Sequence, residues 1–182
     1  MSRIDRDEVV FRLEAIQLVC MQHRIAEWED EIEDGTCSPQ DIEMKGIYER
    51  ILHKCLIERY PFMTVEDSED ATPFEKMPMG WKVSFGILMM EKFLGIWSKY
   101  RDAFFSLDDM TYDKGVLHFK VSYMEDNPRL KRKLNKLMNK FSKMSAETCM
   151  HCGRKHPISK EDRGHELFLA NLCDDCAERG TL

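Results

Sequence analysis

Toward its C-terminus the chain carries Thr148-Cys149-Met150-His151-Cys152-Gly153 and then, after a spacer of twenty residues that begins at Gly153, Cys173-Asp174-Asp175-Cys176. A two-residue gap lets a tight turn aim both sulfurs of a pair at one ion, and Gly153 relieves the backbone after the first pair. Two such pairs at this separation match a four-thiolate zinc site. The expected ligands are Cys149, Cys152, Cys173 and Cys176, holding one structural Zn²⁺. Four thiolates close the tetrahedron, so the metal is expected to support the fold and not to catalyse. The alternative is two unrelated or redox-active pairs; a redox pair normally stands alone beside a βαβ pattern, which this sequence lacks.

His156, Asp162, His165 and Asn171 lie between the pairs. An HNH-type nuclease built on such a scaffold needs a general-base histidine and side chains that hold a divalent ion against a phosphate. The Asp-His dipeptide of that pattern is missing, and no histidine follows Cys176, so the nuclease is a remote alternative. The chain has no glycine-rich phosphate loop, no G-x-S-x-G and no H-E-x-x-H. The acids at Glu66-Asp67-Ser68-Glu69-Asp70 read as a solvated loop, and Trp81, Trp97 and Met89-Met90 as core. No catalytic residue is assigned.

A second feature is charge. Residues 1–80 carry 9 basic and 19 acidic side chains, residues 81–128 carry 6 and 7, and residues 129–182 carry 12 and 7, within a total of -6. Nucleic acid would be repelled by the first stretch and attracted only by the last. There, Arg132, Lys133, Lys136, Lys140 and Lys143 gather on one helix face at 100° per residue, with Arg154 and Lys155 adding to the field. They are the candidate macromolecule-binding residues. Nucleic acid would be held through phosphates, since no aromatics interleave for base stacking. The plainer reading is a solvated outer face.

These residues must be positioned by the elements before them. Asp5 to Glu33 is predicted as one helix with Val9, Leu13, Ile16, Cys20, Ile25, Trp28 and Ile32 on its apolar side and Gly35 as its stop. Ser38 should cap a second helix, with Pro39 in its first turn and Ile42, Ile47, Ile51, Cys55 and Leu56 inward, ending near Tyr60-Pro61. Cys20 and Cys55 read as buried thiols. Trp81 to Tyr100 returns to helical spacing, with Trp81, Phe85, Leu88, Phe93 and Ile96 inward. Ala103 to Tyr123 is predicted as a β-hairpin turning at Asp113-Lys114-Gly115, with Leu117, Phe119, Val121 and Tyr123 alternating against His118, Lys120 and Ser122. Pro128 opens a last helix to about Ser145, striped by Leu130, Leu134, Leu137, Met138, Phe141 and Met144. In the cysteine module Glu166–Leu169 reads as a strand and Ala177-Glu178-Arg179 as a helical tail, the order of a treble-clef finger. The fold class is therefore α+β and mainly helical: a helical hairpin (1–60), a central helix and β-hairpin (61–145) and a treble-clef-like zinc finger (146–182).

The 182 residues are 43% hydrophobic and 33% charged, the balance of a globular chain. No apolar run approaches the roughly 18 residues of a membrane span, and the charged start has no signal-like apolar stretch. With cysteines grouped as ligands and not as a disulfide framework, the expectation is a cytoplasmic protein without a membrane partner.

Tyr60-Pro61-Phe62, Gly80-Trp81, Lys114-Gly115-x-Leu117-x-Phe119-x-Val121 and the two cysteine pairs follow one another in an order. In these residues the chain resembles the small, uncharacterised proteins encoded by bacteriophages and prophages that end in a four-cysteine zinc module. The resemblance covers about residues 57–178. It departs in the missing acidic, glycine-rich lead into Gly80-Trp81 and in a shortened lysine-glycine segment. It implies a viral accessory or regulatory protein in the host cytoplasm but no activity. The expected function is non-enzymatic binding of a host or viral protein, such as one of the transcription or defence machinery; the alternative is nucleic-acid binding by the basic helix and finger.

Overall fold

The computed structural model describes residues 6–63, 71–100, 104–155 and 171–178, with side chains from residue 14 onward. The chain divides into two compact units, Met1–Arg59 and Tyr60–Leu182.

The first unit is an α-helical hairpin of α1 (Arg6–Glu33) and α2 (Pro39–Arg59). Gly35 ends α1 with φ +68°, a conformation glycine adopts without penalty. Ser38 caps α2 as predicted: its Oγ accepts from Asp41 N–H at 3.2 Å, and its own N–H donates to the Asp41 carboxylate at 3.4 Å. The asparagine-like reach of Asp41 also takes the Ser38 hydroxyl, which holds its carboxyl below the usual carboxylate range. Leu18, Gln22, Ile25 and Trp28 of α1 and Leu52 and Leu56 of α2 are buried, and Trp28 meets Tyr48 edge-on at 5.1 Å. The predicted stripes are partly corrected. Ile16, Cys20, Ile32, Ile42 and Ile51 are exposed and Cys55 is half-buried. The reason is phase: α1 has apolar residues on two sides, and the Leu18–Trp28 side is the one packed. Val9 and Leu13 lie on α1, but their side chains are outside those described.

In the second unit, Tyr60-Pro61-Phe62 opens the core. Tyr60 is fully buried and donates its hydroxyl to Glu91 at 2.7 Å, while Phe62 sits 6.0 Å from Phe93 and 5.6 Å from Phe105. The acidic run 66–70 lies outside the described residues. The predicted helix from Trp81 starts two residues earlier and is interrupted: α3 (Met79–Trp81) runs into a π-helical turn (Lys82–Gly86) and then α4 (Ile87–Trp97). A Cβ on Gly86 would come within 2.7 Å of the Phe74 ring, so the ring seats against a bare backbone. The wide turn shifts the helical phase, which corrects Leu88 to an exposed position while Ile87, Met89, Met90, Phe93 and Leu94 are buried.

The hairpin pairs β1 (Phe105–Asp113) antiparallel with β2 (Val116–Tyr123), with a bulge between Leu107 and Asp109. Lys114 and Gly115 make the two-residue turn at φ 48° and 70°, the signs that a twisted hairpin requires. Leu117 is buried while His118, Lys120 and Ser122 are exposed, as the alternation predicts. The last long helix, α5 (Pro128–Ala146), is capped by Asn127, whose side chain accepts from Arg129 and Leu130 N–H. Leu130, Leu134 and Phe141 are buried, and Phe141 stacks on Phe85 at 5.8 Å. A five-residue α6 (Asp174–Glu178) follows the second cysteine pair's start. The architecture is α+β and mainly helical. No described helix is long and apolar enough to cross a membrane.

Candidate metal centre

α5 runs directly into the first cysteine pair. Thr148 Oγ1 donates to Met144 C=O at 2.7 Å, and Cys149 N–H donates to Arg154 C=O at 2.9 Å while Gly153 N–H returns to Cys149 C=O at 3.1 Å. This closes Cys149–Arg154 into a knuckle, and Gly153 takes φ +72° to make it. Cys173 stands one residue before α6 and Cys176 within it, where Cys176 N–H donates to Cys173 C=O at 3.0 Å. The four predicted ligands converge: the sulfurs of Cys149, Cys152, Cys173 and Cys176 all lie within 4.8 Å of one another, and Cys152 and Cys173 are 3.6 Å apart. Four thiolates about 2.3 Å from one ion in a tetrahedron stand roughly 3.8 Å apart. The donors are therefore positioned to coordinate a metal ion.

The local field suits that task. Burial pushes the Cys149 thiol up, but N–H groups of Cys152, Cys173 and His151 aimed at its sulfur outweigh this and bring it down to about 7. Burial raises Cys152 and, more strongly, Cys176, which neighbouring thiols raise further. One sulfur is thus ready as a thiolate, while two hold protons that an ion must displace.

Residues outside the ligand set hold the two cysteine segments together. Asn171 is buried; its Nδ2 donates to Ser145 C=O at 2.8 Å and Thr148 C=O at 3.1 Å, and its backbone carbonyl accepts from Met150 N–H at 2.8 Å. Gly80 N–H donates to Met150 C=O at 2.8 Å, and Trp81 Nε1 to Thr148 C=O at 2.8 Å. A Cβ on Gly80 would lie 2.4 Å from Cys149 C=O, and one on Gly115 2.4 Å from the Asn171 Cβ. Ser145 Oγ accepts from Leu117 N–H at 2.8 Å, joining the hairpin to the same junction. Asn171, one of the polar residues between the cysteine pairs, thus ties the two segments together. His156, Asp162, His165 and the Glu166–Leu169 strand lie outside the described residues.

The predicted basic residues separate. Arg132, Lys136 and Lys143 are exposed on α5 and form no ion pair among the described residues, sharing an open groove with Asn135, Asn139 and Lys140. Lys133 leans instead over the Tyr100 ring at 5.3 Å, and Lys140 sits 5.6 Å from the Phe141 ring centre. Lys131, not among those predicted, pairs with Asp126 at 2.7 Å. Arg154 is paired with Asp175 of α6, which removes much of its contribution to the positive field; Lys155 is exposed. Compared with protein families, curated proteins and solved structures, the chain shows no match.

Proposed function

We propose that this is a non-enzymatic, zinc-binding accessory protein of viral origin that acts in the cytoplasm by binding a host or viral protein through the outer face of α5. The carrying observation is that Arg132, Lys136 and Lys143 project without ion pairs among the described residues from a helix whose inner face packs in the core and whose C-terminal end is tied to the cysteine segments. A rigid charged helix loses little entropy on binding. Zinc is the ion of choice because four cysteine thiolates in two spaced pairs favour a soft, tetrahedral, closed site. The knuckle followed by a pair at a helix start supports a treble-clef-like finger. The viral reading rests on the resemblance carried by Gly80-Trp81 and the cysteine pairs. The non-catalytic reading draws support from Asn171, which is committed to backbone carbonyls.

A second reading, nucleic-acid binding, is favoured by one observation: Asn135 and Asn139 share the groove with the cations. Asparagine between arginine and lysine on an exposed helix is a donor-acceptor set suited to base edges in a major groove. The test is an Arg132→Glu, Lys136→Glu, Lys143→Glu variant that keeps its metal. Loss of a protein captured from host lysate after nuclease treatment supports the first reading. A gel shift present in the parent and lost in the variant supports the second. If neither changes, α5 is only a solvated face and the proposal fails.

A further inference from the structure

Resting on the reading of α5 as a protein-binding face, we propose that the partner engages it through a short acidic helix whose carboxylates are set along one line. α5 carries seven basic side chains and no acid. Lys131 is paired with Asp126, Lys133 leans over the Tyr100 ring and Lys140 lies by the Phe141 ring. Arg129, Arg132, Lys136 and Lys143 are exposed and have no ion pair among the described residues. At 100° per residue Arg132, Lys136, Asn139 and Lys143 fall within about 60° of one another, a straight row about 17 Å long. α2 relieves its cations at helical spacing, pairing Lys45 with Glu49 and Lys54 with Glu58 four residues on. α5 sets Arg132, Lys136 and Lys140 four apart with no acid between them, and like charges at that spacing repel. Carboxylates laid along the row lift that repulsion.

Geometry and charge name the occupant. The groove along the row ends at Asp126 before the helix and at Glu147 after it, both exposed. A nucleic-acid strand carries its phosphates past both ends, onto these carboxylates and into the field of a chain whose net charge is -6. A short acidic segment stops within the row, where the basic side chains dominate over a Debye length of about 8 Å. The steps of four, three and four from Arg132 to Lys143 rise about 6, 4.5 and 6 Å. An extended segment spaces its same-side side chains about 6.8 Å apart and drifts out of step. A helix bearing Glu or Asp at steps of four, three and four stays in step, as two helices of one repeat do along a shared seam. Asn135 and Asn139 line the same groove with amides that donate to carboxylate oxygens, and Pro128 and Met144 add apolar contact.

The full-length, zinc-loaded protein tests this. The probe is an alanine-based helical peptide of about five turns with glutamates at steps of four, three and four. Fluorescence anisotropy should show it binding at least about tenfold tighter than a peptide of identical composition with its glutamates dispersed around the helix. Binding should weaken as salt is raised. An Arg132→Glu, Lys136→Glu, Lys143→Glu variant should lose the acidic peptide, with helix content and zinc unchanged, and should bind instead the aligned peptide carrying lysines in place of glutamates. Equal affinity for the two acidic peptides, or none for either, overturns the proposal. So does duplex DNA that binds more tightly than the aligned peptide and is lost in the variant, the outcome of nucleic-acid recognition. A protein captured from host lysate and lost in the variant, yet not displaced by the aligned peptide, leaves α5 a protein-binding face and overturns the acidic helix alone.

Discussion

Cys149 is held near neutrality, at about 7, while Cys152 and Cys176 are raised. The proposed zinc would therefore displace protons on binding, and protons would compete with it more strongly as pH falls. Above about pH 7 Cys149 is mostly thiolate while the raised Cys152 and Cys176 still hold protons to be displaced; below it Cys149 also takes a proton. The logarithm of zinc affinity should thus rise with pH throughout and do so more steeply below about 7 than above. Competition with a chromophoric chelator across pH measures this, and a pH-independent affinity would contradict the four-thiolate reading. The ligands themselves were legible because cysteine chemistry fixes both residue type and spacing. Asn171 was not: its role depends on the carbonyls of Ser145 and Thr148, brought to it from more than twenty residues away. The pairing of Arg154 was hidden for the same reason, since its Asp175 partner follows it by 21 residues.

At the level of elements, the start of α3 and the cysteine knuckle form one contact made by bare backbone. Gly80 and Gly153 face each other so closely that a Cβ on either would lie 2.5 Å or less from the other's main chain or its neighbours. Gly80→Ala is expected to push the knuckle outward, costing about 1–3 kcal/mol of stability and weakening metal retention, whereas Gly95→Ala, in open space on α4, should be neutral or slightly stabilising. Denaturant midpoints and zinc content of the two variants decide it; equal effects would mean the close approach is not maintained. Elements with local chemical signatures were readable: the Ser38 cap, the Lys114-Gly115 turn, the alternation in β2 and the Asn127-Pro128 helix start. What escaped was phase. The π-turn at Lys82–Gly86 rotated Leu88 outward, and α1, with apolar residues on two sides, offered a stripe that the hairpin does not bury. Periodicity reports that a face is apolar and is silent on which neighbour covers it.

For the whole molecule, the metal centre is continuous with the core of the Tyr60–Leu182 unit, and this sets how far the effect of metal removal should travel. Trp81 is fully buried, donates to Thr148 C=O and stands 6.3 Å from Phe85, which stacks on Phe141 of α5. Leu117 N–H is tied to Ser145 at the end of α5, and Gly80 N–H to Met150 within the knuckle. Removing the proposed zinc would leave four clustered thiols, of which Cys152 and Cys176 favour the neutral form, and would remove the binding free energy that a closed site adds to the knuckle. Amide exchange should therefore accelerate by at least about tenfold, equivalent to roughly 1.4 kcal/mol, at Gly80, Leu117, Met150 and the last turn of α5. The hairpin Met1–Arg59, a separate compact unit, should keep its protection. Hydrogen exchange with and without a chelator reads both at once. Loss confined to residues after 146 would show the cysteine segment to be an appendage, and loss throughout α1 and α2 would show the two units to be one cooperative body.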